Sequence, residues 1–201
     1  MRVTIYIIII CAAVFAAQII IPVFSEVFAL TPVLAVNGAW WQFITYMFLH
    51  GDPMHIGLNM IVLAIFGPLV ERELRWKRYT SLFLLSGLGS ALLHMFLAGE
   101  STIMMLGASG AVFGVLTAYG FLFPRNWIIM FPGIPMPAIL AVFVFAGIEL
   151  FFGVFGVEPG IANFGHLGGI ITGVLFMLVY RFYKKHKKDH FQFGDFEWIW
   201  E

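Results

Sequence analysis

Four residues of types that do acyl-transfer chemistry stand in three short, otherwise apolar stretches of this chain. His55 and Asn59 lie in HGDPMHIGLN (50–59), Ser109 in GASGAVFG (107–114) and His166 in FGHLGGIITG (164–173). A serine hydroxyl is a poor nucleophile until a base takes its proton. An imidazole, which titrates near neutral pH, is the best-placed base, and His166 is the candidate. Attack on a peptide carbonyl creates an oxyanion that needs donors already in position. His55 and Asn59 are four residues apart, hence on one helix face, and carry N–H groups suited to that task. Ser109 sits between Gly107 and Gly110 at an expected helix start, where unpaired N–H groups and a positive dipole end face developing negative charge.

Each signal is weak alone. A serine in a membrane helix usually hydrogen-bonds its own backbone, a histidine there is commonly a packed contact or proton relay, and small-x-small patterns pervade such helices. Their weight depends on whether the chain brings them to one place.

Of the 201 residues, 61% are hydrophobic and 11% charged, and the mean hydropathy is +0.95. Soluble chains carry about 25% charged residues. A chain of this length could not bury that much apolar side chain, so the bilayer must act as its solvent. The single cysteine, Cys11, excludes an internal disulfide framework and reads as a small core or lipid-facing residue. The apolar run after Met1 and Arg2 exceeds a signal-peptide core and lacks a small-x-small exit, so it is expected as a first membrane helix.

Hydropathy predicts six spans, at roughly 4–24, 54–70, 79–98, 104–123, 137–155 and 162–183, each near the ~20 residues a bilayer needs. Six spans put the N-terminus, the 71–78 and 124–136 loops and the C-terminal tail on one side. All eleven Lys and Arg fall there: Arg2, Arg72, Arg75, Lys77, Arg78, Arg125, Arg181, Lys184, Lys185, Lys187 and Lys188. The opposite loops carry only acids, Glu26, Asp52, Glu100 and Glu158. The positive-inside rule therefore predicts both termini in the cytoplasm, and residues 184–201 as a basic, aromatic tail after a 1–183 membrane domain. The tail's lysines, with Phe191, Phe193, Phe196, Trp198 and Trp200, read as an interfacial anchor.

This orientation fixes depth. His55 and Asn59 lie in the first two turns of a span entering from outside, Ser109 about five residues into the next such span, and His166 about four into the last. At 1.5 Å per residue all lie very roughly 5–10 Å below the outer surface. Hydropathy made no use of these side chains, so the shared depth is independent evidence of one site. Gly165, Gly169 and Gly173 would let the sixth span pack closely on a neighbour. Phe113, one turn below Ser109, could stack on the His166 ring. The run His50-Gly51-Asp52 offers water an entry at the outer mouth.

Glu149 is the one acid near that depth on another span. The expectation is a Ser–His dyad whose imidazole is held by packing rather than by a carboxylate. Glu149 is read first as a structural polar contact and second as a contributor to site electrostatics or gating. His94 is read as structural or interfacial. The helix-5 phenylalanines Phe143, Phe145, Phe151 and Phe152 are read as lipid-facing or packing residues, and as a candidate lateral gate.

At these motifs the chain resembles the rhomboid family of intramembrane serine proteases, over about residues 5–183. The resemblance implies an all-α membrane protein, a six-transmembrane-helix bundle with a cavity open to the outside. It implies Ser109 as nucleophile, His166 as general base, and His55, Asn59 and the Ser109 backbone amide as the oxyanion hole. It further implies Phe113 stacked on the catalytic histidine, His50 as a companion in the second-helix motif, and residues 25–52, with Trp40 and Trp41, as a long loop half-buried in the outer leaflet. The family often has Trp-Arg where this chain has Trp41-Gln42. No metal or cofactor is expected. Single-span membrane proteins are the implied substrates and a bacterial cell membrane the expected location. The alternatives are an inactive rhomboid-like protein that binds membrane helices, and a small transporter using histidine relays.

Overall fold

The computed structural model of the protein describes residues 2–99, 101–130, 133–155 and 161–194. Helix α1 spans Arg2–Ile20, and three short helices follow, α2 (Phe24–Phe28), α3 (Pro32–Val36) and α4 (Gln42–Thr45), the last running into a 3-10 turn at Tyr46–Phe48. Then come α5 (Pro53–Ala98), α6 (Ser109–Leu122), the strands β1 (Trp127–Met130) and β2 (Ile134–Pro137), α7 (Ala138–Phe155) and α8 (Ile161–Gly194).

Among the described residues, α1, α5, α7 and α8 contain stretches long and apolar enough to cross a bilayer, and α6 is a shorter apolar helix. Ile5, Ile9, Ile19 and Ile20 of α1, and Phe143, Phe151 and Phe155 of α7, point outward as large exposed apolar side chains. Such a surface suits lipid, and helices satisfy their backbone groups internally, as a bilayer requires. The molecule is an integral, multi-pass, all-α membrane protein.

The 46 residues of α5 would run ~70 Å if straight, more than twice a ~30 Å hydrocarbon core. They do not run straight. Arg75 adopts φ 66° and ψ 160°, which breaks the helix into two arms. His55 on the first arm lies against Gly107 and Ser90 on the second lies against Gly110, so the arms return to the same end. The break at Arg75 lets α5 supply two of the apolar runs that hydropathy separates, one on each side of the 71–78 loop. Near the break, Glu71 accepts hydrogen bonds from the backbone N–H of Val3 (3.1 Å) and Thr4 (3.0 Å) and from the Thr4 hydroxyl (2.8 Å). That carboxylate caps the open N-terminus of α1 and pins it to the turn.

The core lies where α5, α6 and α8 meet, with Leu63, Leu74, Leu82 and Phe83 of α5, Ala111, Val115 and Ala118 of α6 and Met177 of α8 buried. Lipid gives helices no hydrophobic reason to associate, so close packing must hold them. The glycines supply it. A Cβ at Gly169 of α8 would overlap the Gly110 carbonyl of α6, and one turn on Gly173 meets Gly114.

Three boundaries differ from expectation. The fourth span, expected at 104–123, is helical only from Ser109. Met105 instead pairs with Leu30 through two backbone hydrogen bonds (2.8 and 2.9 Å), and Gly107 at φ 131° cannot join a helix. The expected 124–136 loop contains the antiparallel ribbon β1–β2. Helix α8 continues past residue 183 to Gly194, because no Gly or Pro interrupts residues 174–193. Phe196, Trp198 and Trp200 of the tail, and the acids Glu100 and Glu158, lie outside the described residues.

Candidate active site

Ser109 is the first residue of α6 rather than five residues into it. The first bond of that helix end runs from Val112 N–H to the Ala108 carbonyl (2.9 Å), which leaves the amides of Ser109, Gly110 and Ala111 without a helical partner. Gly107 sets up this start. Its positive φ turns the chain into the helix, and its backbone passes against the His55 ring, where a side chain would collide.

The Ser109 hydroxyl lies 2.7 Å from His166 Nε2, across 57 residues of sequence. Helix α8 carries His166 on the glycine-lined face that packs on α6, so the close approach of two backbones is what brings imidazole to hydroxyl. Phe113, one turn into α6, lies against the imidazole with ring centroids 4.9 Å apart, and Phe145 of α7 stacks edge-on to Phe113 at 5.6 Å. The ring is thus held on one side by packing, as expected.

It is not held by packing alone, and here the sequence expectation is corrected. Glu149 of α7 is buried, and its Oε2 lies 3.1 Å from His166 Nδ1. The oxygen is off the ring N–H direction, so this is a close electrostatic contact rather than a linear hydrogen bond. Asn163 donates from Nδ2 to the same Oε2 at 2.8 Å. The sequence reading passed over Asn163. Its signal was its place three residues before His166, one turn away on the same helix face.

His55 and Asn59 line one cavity of about 300 Å³ together with Ser109 and His166. Asp52 caps this arm of α5 by accepting from the His55 N–H (2.8 Å), and Pro53 occupies the first turn. The Gly51 N–H points at His55 Nδ1 (3.4 Å), which assigns the ring proton to Nε2 and makes that atom a donor. Asn59 Nδ2 donates to the His55 carbonyl (2.9 Å), and the amide group has a second hydrogen to offer. Leu58, Val62, Val112, Leu116 and Phe145 line the same cavity, so its polar side chains stand among apolar ones.

His50 is not part of an open mouth. It is buried, edge-on to His55 at 5.2 Å, and its backbone exchanges hydrogen bonds with the Gln18 side chain (2.9 and 3.1 Å). Burial, and then the neighbouring His55, lower its pKa to about 4. His94 is buried in the second arm of α5. Of the four phenylalanines read as a candidate gate, all on α7, only Phe145 lines the cavity, while Phe143, Phe151 and Phe152 are exposed. Among the described residues no three His, Cys, Asp or Glu side chains converge as a metal site would need.

A family model described as a Rhomboid domain matches residues 37–182, which is most of the chain and all of the cavity. The chain belongs to the rhomboid family. It is 35% identical to RHOMBOID-like protein 4 of Arabidopsis thaliana over 144 residues, 70% of this chain and 34% of that protein. It is 36% identical to Rhomboid-type serine protease 2 of Emericella nidulans over 135 residues, 67% of this chain and 26% of that protein. Rhomboid protease AarA of Providencia stuartii is 26% identical over 171 residues, covering 73% and 58% of the two chains. The chain spans about a quarter to three-fifths of the length of these curated relatives.

In this rhomboid the loop between α1 and α5 is braced by a neutral amide. Gln42, where the family often has arginine, is buried; it accepts from the Thr31 N–H (3.0 Å) and donates to the Val27 carbonyl (3.2 Å). Trp41 donates from its indole to the same carbonyl (2.9 Å). The loop is further tied to the segment before Ser109 by the Leu30–Met105 pair and by Val33 N–H to Ser101 O (3.1 Å), so the rhomboid's serine turn and its first loop form one unit.

Proposed function

We propose that this rhomboid is an intramembrane serine endopeptidase that hydrolyses peptide bonds in or near the transmembrane segments of single-span membrane proteins. The observation that carries the reading is the 2.7 Å contact between the Ser109 hydroxyl and His166 Nε2, in a cavity that also holds His55 and Asn59. Ser109 Oγ attacks the carbonyl carbon while His166 Nε2 takes its proton. The oxyanion is met by the amide at the start of α6, by His55 Nε2–H and by the Asn59 amide. Collapse breaks the C–N bond, and the leaving amine takes the proton from His166. Water then gives a proton to His166 and attacks the acyl-enzyme, and Ser109 is released with its hydrogen restored.

Carbonyls within a helix are tied to the i+4 amide, so a scissile bond must first unwind to reach Ser109. Substrates whose segments carry glycine and other poor helix formers near the outer end are therefore favoured. The segregation of Lys and Arg supports cytoplasmic termini, with the cavity facing the opposite side of the membrane; the proposed membrane is that of a bacterial cell. The printed names of two relatives, a serine protease and a rhomboid protease, support the reaction class.

Labelling by a fluorophosphonate, which reacts with activated serines, tests this without a substrate. The wild-type protein in detergent is expected to label at Ser109, with labelling lost in Ser109→Ala and in His166→Ala. Labelling of wild type and Ser109→Ala alike would refute the assignment of the nucleophile.

A further inference from the structure

We propose that Glu149 completes the catalytic array as a positioning residue, fixing the proton of His166 on Nδ1 and stabilising the imidazolium that forms when Ser109 attacks. This rests on the protease reading above and adds to it a role for α7. A carboxylate oxygen 3.1 Å from Nδ1 would repel an unprotonated ring nitrogen, whose lone pair also points outward. With the proton on Nδ1, Nε2 is left as the acceptor for the Ser109 hydroxyl 2.7 Å away. The geometry thus selects the tautomer that a general base needs.

Asn163 makes the arrangement definite. Its amide donates to the Oε2 that faces His166, and it stands one turn before His166 on α8. A buried carboxylate with no donor would be costly; this one is satisfied by the helix that carries the base. Among the described residues, the titratable groups facing the imidazole are Glu149 from α7 and His55 from α5, with α6 supplying the Ser109 hydroxyl. During attack the Ser109 proton moves to Nε2 as the Oγ–C bond forms. The Nδ1 proton stays on the ring and Glu149 takes no proton, supplying only its negative charge.

The experiment compares wild type, Glu149→Gln and Glu149→Asp by steady-state cleavage of a single-span model substrate and by nitrogen NMR of histidine-labelled protein. Gln keeps the size and the acceptor for Asn163 but loses the charge; Asp keeps the charge. Glu149→Gln is expected to lower kcat roughly 10- to 100-fold with KM unchanged, less than the ~10⁴ seen when a linear carboxylate–imidazole bond is lost. Glu149→Asp is expected to recover part of that rate. In wild type the neutral His166 ring is expected to carry its proton on Nδ1, and in Glu149→Gln to become a mixture of tautomers. Unchanged kcat in Glu149→Gln, or equal losses in both variants, would overturn the proposal. So would a wild-type His166 protonated on Nε2, a result that needs neither a folded variant nor a cleaved substrate. If wild type cleaved nothing, the protease reading would fail by itself, and the tautomer alone would decide for or against the Glu149 contact.

Discussion

The backbone of Gly107 passes so close to His55 that a methyl group on it would lie 2.7 Å from both Cε1 and Nε2 of the imidazole. The same glycine holds φ at 131° to start α6 at Ser109. One residue therefore sets the direction of Ser109 and the clearance of the His55 ring.

Gly107→Ala is expected to impair both. A side chain at that φ costs of order 1–3 kcal/mol, and the displaced His55 ring leaves its place beside Ser109. Thermal unfolding in detergent should show a lower midpoint, and cleavage should fall further than the stability loss explains. Wild-type activity in this variant would show that the His55 position is irrelevant to the reaction.

His55→Ala and Asn59→Ala test the oxyanion assignment. Removing one such donor typically lowers kcat ~10²–10³-fold. Each variant is expected to lose kcat with little change in KM, and the double variant to lose less than the product, since both serve one oxygen. A rise in KM alone would assign these residues to substrate binding instead.

Much of this architecture was legible in residues. The apolar runs, and the confinement of Arg72, Arg75, Lys77 and Arg78 to one loop, placed a chain reversal where Arg75 breaks α5. Depth along each run brought Ser109, His166, His55 and Asn59 to one level, and one cavity gathers all four. The contact between Glu149 and His166 was not legible. It depends on the rotation of α7 about its axis, and that helix is apolar on every side, so no amphipathic period marks which face turns inward. The start of α6 was missed for a related reason. Ile103, Met104 and Leu106 look like helix interior, but their neighbour Met105 is held extended by a long-range pair with Leu30. The ribbon β1–β2, by contrast, is a local hairpin within a stretch read as a loop.

His50 gives the protein an acid sensitivity. Its folded pKa of about 4 lies below the 6.5 of an exposed histidine, chiefly because it is buried. Between those values the unfolded chain binds a proton that the folded chain refuses, so stability is full above about pH 6.5 and is lost as pH falls toward 4. His50→Phe, which keeps the shape and cannot titrate, is expected to flatten the unfolding midpoint across that window. A pH dependence identical to wild type would assign the sensitivity to other groups.

The central claim is that Ser109, activated by His166, cleaves membrane-embedded peptide bonds. Purified protein in detergent should cut a model single-span substrate near its outer end, and Ser109→Ala, equally well folded, should not. Cleavage by both proteins at the same rate would contradict the account by placing the nucleophile elsewhere. Cleavage by neither, across several substrates, would replace the protease with a rhomboid that binds membrane helices and performs no chemistry on them.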